Sequence, residues 1–161
     1  MTTATIVDAA ERQLVVFDLA GESYGVNIGT VREIIRMQAV THVPETPEFV
    51  EGVINLRGRV IPVVDLRKRF GLAVTEQTAE SRIVVVDITG HDIGVIVDAV
   101  TEVLRVPGSA IESDSALVTT EDSYYMDGIA KIGARLLILL DLDRVLQLGD
   151  DTANRIAEVA A

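Results

Sequence analysis

LVVFDLAGESYGVNIGTVREIIRM, residues 14–37, and IVVVDITGHDIGVIVDAVTEVLRV, residues 83–106, align without a gap and agree at nine of 24 positions. The agreements include Asp18 with Asp87, Gly21 with Gly90, Gly25 with Gly94, Val31 with Val100, Glu33 with Glu102 and Arg36 with Arg105. In each copy a β-prone run, such as Gln13–Leu19, precedes a glycine turn (Ala20 to Ser23 in the first copy). A returning strand, Tyr24–Ile28, follows, so the unit opens with a hairpin. The matching turn glycines supply the positive φ that such a turn needs. Residues 29–37 fit either a short helical turn or a bent strand.

The likeness continues downstream. Residues 52–70 match 128–146 at an offset larger by seven, with Gly52/Gly128, Arg59/Arg135, Asp65/Asp141 and Leu66/Leu142 retained, and the extra residues fall between Pro107 and Met126. Each unit therefore adds a second pair of short strands and a brief helical turn, and the polar stretch Thr75–Glu80 joins the units. A Gly-punctuated unit of about five strands closes best as a barrel, which removes sheet edges. Two units this small would be marginal alone. The predicted fold is all-β: two small SH3-like five-stranded barrels sharing an apolar core, with short helices. The units span about 13–72 and 82–148, within one domain over 13–148, with strands able to cross between them. Residues 1–12 read as a mobile tail, and 149–161 as a helix or tail, amphipathic through Ile156, Ala157, Val159 and Ala160.

The composition narrows the function. A net charge of -11, a pI near 4.5 and 14 basic residues scattered apart from Arg67-Lys68-Arg69 argue against a nucleic-acid partner, which needs clustered Lys and Arg. Without cysteine there is no disulfide or thiolate chemistry. Met1–Arg12 lacks the pattern of a leader and no apolar run suffices for a membrane span, so a cytoplasmic protein without direct membrane insertion is expected. No phosphate-cradling glycine motif occurs, and the two histidines, His42 and His91, stand apart, so no catalytic residue, metal or cofactor is expected. Asp141 and Asp143 read as helix-capping residues, Pro44–Pro47 as a stiff crossing, and Tyr124-Tyr125-Met126 as an inward-packing loop end. Arg67-Lys68-Arg69 reads as a solvated helix end.

What the copies do not share points to contact chemistry. The hairpin Gly52–Leu66 carries Asn55-Leu56-Arg57-Gly58 at its tip, where the second copy has Lys131-Ile132-Gly133-Ala134, so the tip arginine occurs once. Pro62 faces Ile138, and a proline inside a strand predicts an edge or a bulge. Glu33 is predicted to pair with Arg57 on the surface; Glu102, its copy, has no tip arginine in its own unit.

Phe17-Asp18-Leu19, Tyr24-Gly25-Val26, Val31-Arg32-Glu33-Ile34, Val43-Pro44, Pro47 through Gly58, Ile61 through Leu66, Gly94 with Val97-Asp98, and Leu139 through Leu142 together resemble the CheW family of chemotaxis coupling proteins over about residues 13–148. The resemblance implies a non-enzymatic adaptor joining the helical cytoplasmic tip of chemoreceptors to the regulatory domain of the histidine kinase CheA, with kinase and adaptor barrels alternating in rings and other CheW-like barrels as further neighbours. It places receptor contacts in a groove between barrels and around Val31, Glu33, Arg57 and Gly58. Ile35 joins Val31 as an apolar anchor and Asn55 belongs to the same tip; kinase contacts run barrel end to barrel end. Other readings are the detached regulatory barrel of a CheA-type kinase, a CheW-receiver fusion, and a small acidic hydrolase, which would need a pocket holding two strongly perturbed carboxyl groups.

Overall fold

The computed structural model describes residues 11–112 and 125–146. Expectations for the N-terminal tail up to residue 10, the seven-residue insertion, Tyr124 and the C-terminal helix lie outside them. Among the described residues eleven strands form: β1 Arg12–Leu19, β2 Glu22–Asn27, β3 Val31–Arg36, β4 Val50–Leu56, β5 Arg59–Asp65, β6 Arg82–Ile88, β7 His91–Val97, β8 Ala99–Val106, β9 Ile111–Glu112, β10 Met126–Ile132 and β11 Arg135–Leu140. Two short helices, Leu66–Arg69 and Leu142–Val145, follow the last strand of each copy. Asp65 and Asp141 cap them by accepting from the backbone N–H groups of Arg67 and Arg144. The ambiguous stretch after the first hairpin resolves into a 3-10 turn, Ile28–Thr30, leading into β3.

The copies exchange hairpins. One sheet runs β8-β1-β2-β11-β10-β9 and the other β3-β6-β7-β5-β4. Setting aside the two-residue β9, the orders are identical once each strand is replaced by its counterpart in the other copy. The opening hairpin β1–β2 lies parallel against β11 of the second copy, and β6–β7 lies parallel against β5 of the first. The first sheet has six strands rather than five; the place of β9 is taken in the second by a single bridge from Thr41 to Val53.

Alternation along the strands divides the apolar residues among three cores. Leu14, Val16, Val106, Ala130, Leu137 and Leu139 fill the first sheet. Ile54, Ile61, Val63, Ile83, Val85 and Ile96 fill the second, with Ile35, Met37 and Leu56 packed against them. The opposite faces meet in a larger shared core that includes Phe17, Leu19, Val64, Leu66, Val86, Val97 and Leu146. Each sheet thus curls around its own interior and shares its outer face, the arrangement the repeat predicts.

Two local expectations need correction. Pro62 is on no edge: β5 lies between β7 and β4. Its neighbour Val53 turns both backbone polar groups toward Thr41, at 2.8 and 2.9 Å, so the Val53/Pro62 pair is a non-hydrogen-bonded one. The missing Pro62 N–H therefore points toward β7, whose pairing with β5 starts only at Val63. The bulge in this ladder is on β4, between Val50 and Gly52.

Arg67-Lys68-Arg69 is no solvated end either, and all three are half-buried. Arg67 donates through Nε (2.9 Å) and Nη2 (2.5 Å) to Asp98 and through Nη1 to the carbonyl of Ala73 (2.7 Å). Lys68 pairs with Glu51 at 2.6 Å. Arg69 donates to the Val145 carbonyl at 2.7 Å and lies between the rings of Phe49 and Tyr125, 4.7 and 4.8 Å from their centroids. The first short helix is a staple onto the second copy.

Candidate functional site

All six candidate residues lie in the β3-β6-β7-β5-β4 sheet, Val31, Glu33 and Ile35 on β3 and the others at the β4–β5 tip. Leu56 pairs with Arg59, so the loop is two residues, Arg57 and Gly58. Both have positive φ, 52° and 82°, as a type I′ turn demands. An arginine in this region is unfavourable by itself, and two contacts offset the cost. The Asn55 Oδ1 accepts from the Gly58 N–H at 2.9 Å, and the Arg57 guanidinium is ion-paired with Glu33.

The pair joins the two edges of the sheet, β3 and the β4–β5 tip, so it forms as predicted and latches the mouth of the barrel. The Glu33 hydrogen bond and charge raise the Arg57 pKa. The expectation for the second copy was incomplete. Glu102 does have an arginine: Arg135, the counterpart of Arg59, reaches its Oε2 at 2.8 Å and latches the other barrel. The sequence shows this arginine, but only closure of the sheet brings it to β8.

Val31 and Ile35 turn inward. Val31 packs against the shared core and Ile35 against the interior of its own barrel. The outward apolar side chains here are Ile34, 41% exposed, and Val60, 36%. Both are repeated: Val103 and Leu136, at the matching positions of the other sheet, are 53% and 60% exposed. A charged cluster missed by sequence reasoning adjoins the tip. The Asp92 carboxylate, 5% exposed, takes Arg32 Nε at 2.7 Å and Arg59 Nη2 at 2.8 Å, and Arg32 also reaches Asp87 at 3.1 Å.

A cleft of about 230 Å3 opens where residues of both sheets meet, among them Asn27, Asp87, Asp127 and Asp141. A smaller one of about 150 Å3 is bordered by Asp65, Arg67 and Asp98. Neither is lined by the six candidates, which occupy the barrel mouth instead. The smaller cleft does hold two carboxyl groups shifted in opposite directions. Desolvation, the largest influence on each, raises Asp65; at Asp98 the Arg67 and Ala20 hydrogen bonds and the Arg67 charge together outweigh it and lower the group. Both are engaged in structure, Asp65 on the helix N-terminus and Asp98 on Arg67 and the Ala20 N–H (2.8 Å), so they make no acid–base pair facing a substrate. Among the described residues no group of three or more His, Cys, Asp or Glu is placed to hold a metal ion, and no helix is long and apolar enough to cross a membrane.

Residues 13–149 match the family model described as a CheW-like domain. The Bacillus subtilis chemotaxis protein CheW is 37% identical over 134 residues, 83% of this chain and 86% of that protein. The Thermotoga maritima chemotaxis protein CheW is 34% identical over 144 residues, 89% of this chain and 93% of that protein. The crystal structure of the scaffolding protein TtCheW from Thermoanaerobacter tengcongensis superposes with a TM-score of 0.80 at 43% identity, covering 86% of this chain and 94% of that one. With the same predominantly β architecture and a match over most of its length, the chain belongs to the CheW-like family of chemotaxis scaffold proteins.

Proposed function

We propose that this protein is a non-catalytic adaptor coupling the helical cytoplasmic tip of chemoreceptors to the regulatory domain of a CheA-type histidine kinase, in rings that can include further CheW-like barrels. It would work in the cytoplasm, recruited to the inner face of the membrane through the receptors. The receptor surface is the mouth of the barrel at Glu33, Asn55, Arg57 and Gly58, with Val31 and Ile35, expected as contact anchors, packed inward and supporting β3 from within. The observation that carries this reading is the tip arginine held in a strained turn by Glu33 and Asn55, beside the outward Ile34 and Val60. A helix face presents spaced apolar side chains, which Ile34 and Val60 can meet while the oriented guanidinium sets the register. Val103 and Leu136 on the other barrel leave a separate apolar surface for a second partner.

The test is capture of a receptor-tip fragment and of the kinase regulatory domain, each assayed separately. Arg57→Ala, alone and with Ile34→Glu, should cut receptor capture by about tenfold or more, the scale of an interface hot spot, while kinase capture persists. Undiminished receptor capture by both variants, with their folding intact, refutes the assignment.

A further inference from the structure

The two barrels solve the same closure differently. In one, Glu102 binds Arg135, the first residue of the strand after the tip. In the other, Arg59 holds the same register, paired with Leu56 as Arg135 is with Ile132, yet it leaves Glu33 to Arg57. The neighbours explain why. The counterpart of Asp92 is Ser23, and that of Arg32 is Thr101. Asp92 is nearly buried, whereas the Glu33 side chain is 32% exposed. Its carboxylate is thus the less screened acceptor, and Arg59 goes there. Arg32 is delivered to the same carboxylate by a bulge: β3 skips it between Val31 and Glu33, as β8 skips Thr101 between Val100 and Glu102.

We propose that Asp92 decides which arginine Glu33 binds: by capturing Arg59 it reserves Glu33 for Arg57 and so orients the tip. As a statement about receptor contact this rests on the reading above; as a statement about pairing it does not. Asp92 comes from the second copy's hairpin, so the exchange of hairpins between barrels lets one half of the chain position the contact residue of the other. Asp92 is a positioning residue, acting through Arg59.

Asp92→Ser installs the residue the second barrel uses. Crystal structures and arginine side-chain NMR of the unbound full chain should show Arg59 moved onto Glu33 and the protection of the Arg57 Nη2 protons, which donate to Glu33, lowered by up to about fivefold, the scale of an exposed ion pair. Adding Arg59→Gln should return Arg57 to Glu33, a rescue that general loosening would not produce. The reciprocal Ser23→Asp should draw Arg135 away from Glu102, and it decides the matter should Asp92→Ser not fold. Arg57 remaining on Glu33 in Asp92→Ser, or Arg135 remaining on Glu102 in Ser23→Asp, overturns the proposal. Receptor-tip capture by the same variants reports separately: a switched pair with undiminished capture leaves Asp92 its role and refutes the tip as the receptor contact.

Discussion

Gly52 is where the backbone tolerates least change. It has φ +146°, and a Cβ added there would lie 2.0 Å from the Thr41 carbonyl oxygen, 2.7 Å from its carbon and 3.0 Å from the His42 Cα. All three are backbone atoms, so no side-chain rotation relieves the overlap. Restoring contact distance requires the 41–42 segment to move by about an ångström, which breaks the two hydrogen bonds joining Thr41 to Val53. Each bond contributes about 0.5–1.5 kcal/mol, and forcing an L-residue into a Gly-only region costs about 1–3 kcal/mol. Gly52→Ala should therefore destabilise by about 2–6 kcal/mol, a large share of the roughly 5–15 kcal/mol that holds a domain folded. At about 2–4 °C per kcal/mol for a chain of this size, a central 4 kcal/mol lowers Tm by about 8–16 °C. Denaturant unfolding gives the first number and calorimetry the second. Gly128→Ala, at the matching bulge, meets Glu112 O at 2.9 Å and should cost less. Loss of under about 1 kcal/mol in Gly52→Ala, or a larger loss in Gly128→Ala, would refute the reasoning.

Because β6–β7 completes the sheet of β3, β4 and β5, the two copies should not fold apart: cleaving the chain within Thr75–Glu80 and separating the halves should give two unfolded fragments that regain native circular dichroism on mixing, and an independently folded half contradicts the exchange. The opposed carboxyl shifts predict a particular acid response. Asp98 is lowered in the folded state, so its stabilisation is complete above the ordinary Asp pKa and is lost as pH falls through the folded value; Asp65 is raised, so its penalty applies above its folded value and is relieved as pH falls toward the ordinary one. Asp98→Asn should flatten the acid limb of stability against pH, and Asp65→Asn should raise stability most near neutrality; urea titrations from pH 3 to 7 check both.

Hairpins, turns and the inward face of most strands were legible in the sequence because each is encoded locally, by alternation and by turn glycines. The first turn proved shorter than it read: only Ala20 and Gly21 form it, and Glu22 already opens β2. The partner of each hairpin was not legible. Val63 beside Gly94 and Leu139 beside Gly25 have the same alternation whichever copy they join, and periodicity states which face is buried, not against what. Pro62 and Arg67 were misjudged for this reason, since an edge strand and a free helix end are right only while the copies stay separate. Of the site, the Glu33–Arg57 pair was visible as a charge difference between copies. The substitutions of Ser23 by Asp92 and of Thr101 by Arg32 stood in the same alignment, but their meaning depends on Arg59 reaching Asp92, a tertiary fact.

The outward apolar residues bear on how function divides between the copies. Positions shared by both copies serve the common architecture when they are buried, but Ile34/Val103 and Val60/Leu136 are shared, apolar and exposed. Interior packing does not require them there. In sequence Ile34 and Val103 follow Glu33 and Glu102, and Val60 and Leu136 follow Arg59 and Arg135, while the charges around them, Arg57 and Asp92 against Gly133 and Ser23, have diverged. Apolar area supplies contact that many partners could use; a fixed guanidinium rejects those lacking its acceptor, because an unpaired buried charge costs several kcal/mol. On the adaptor role proposed above, duplication provides two contact ends of one design, and the choice of arginine at the latch makes them different.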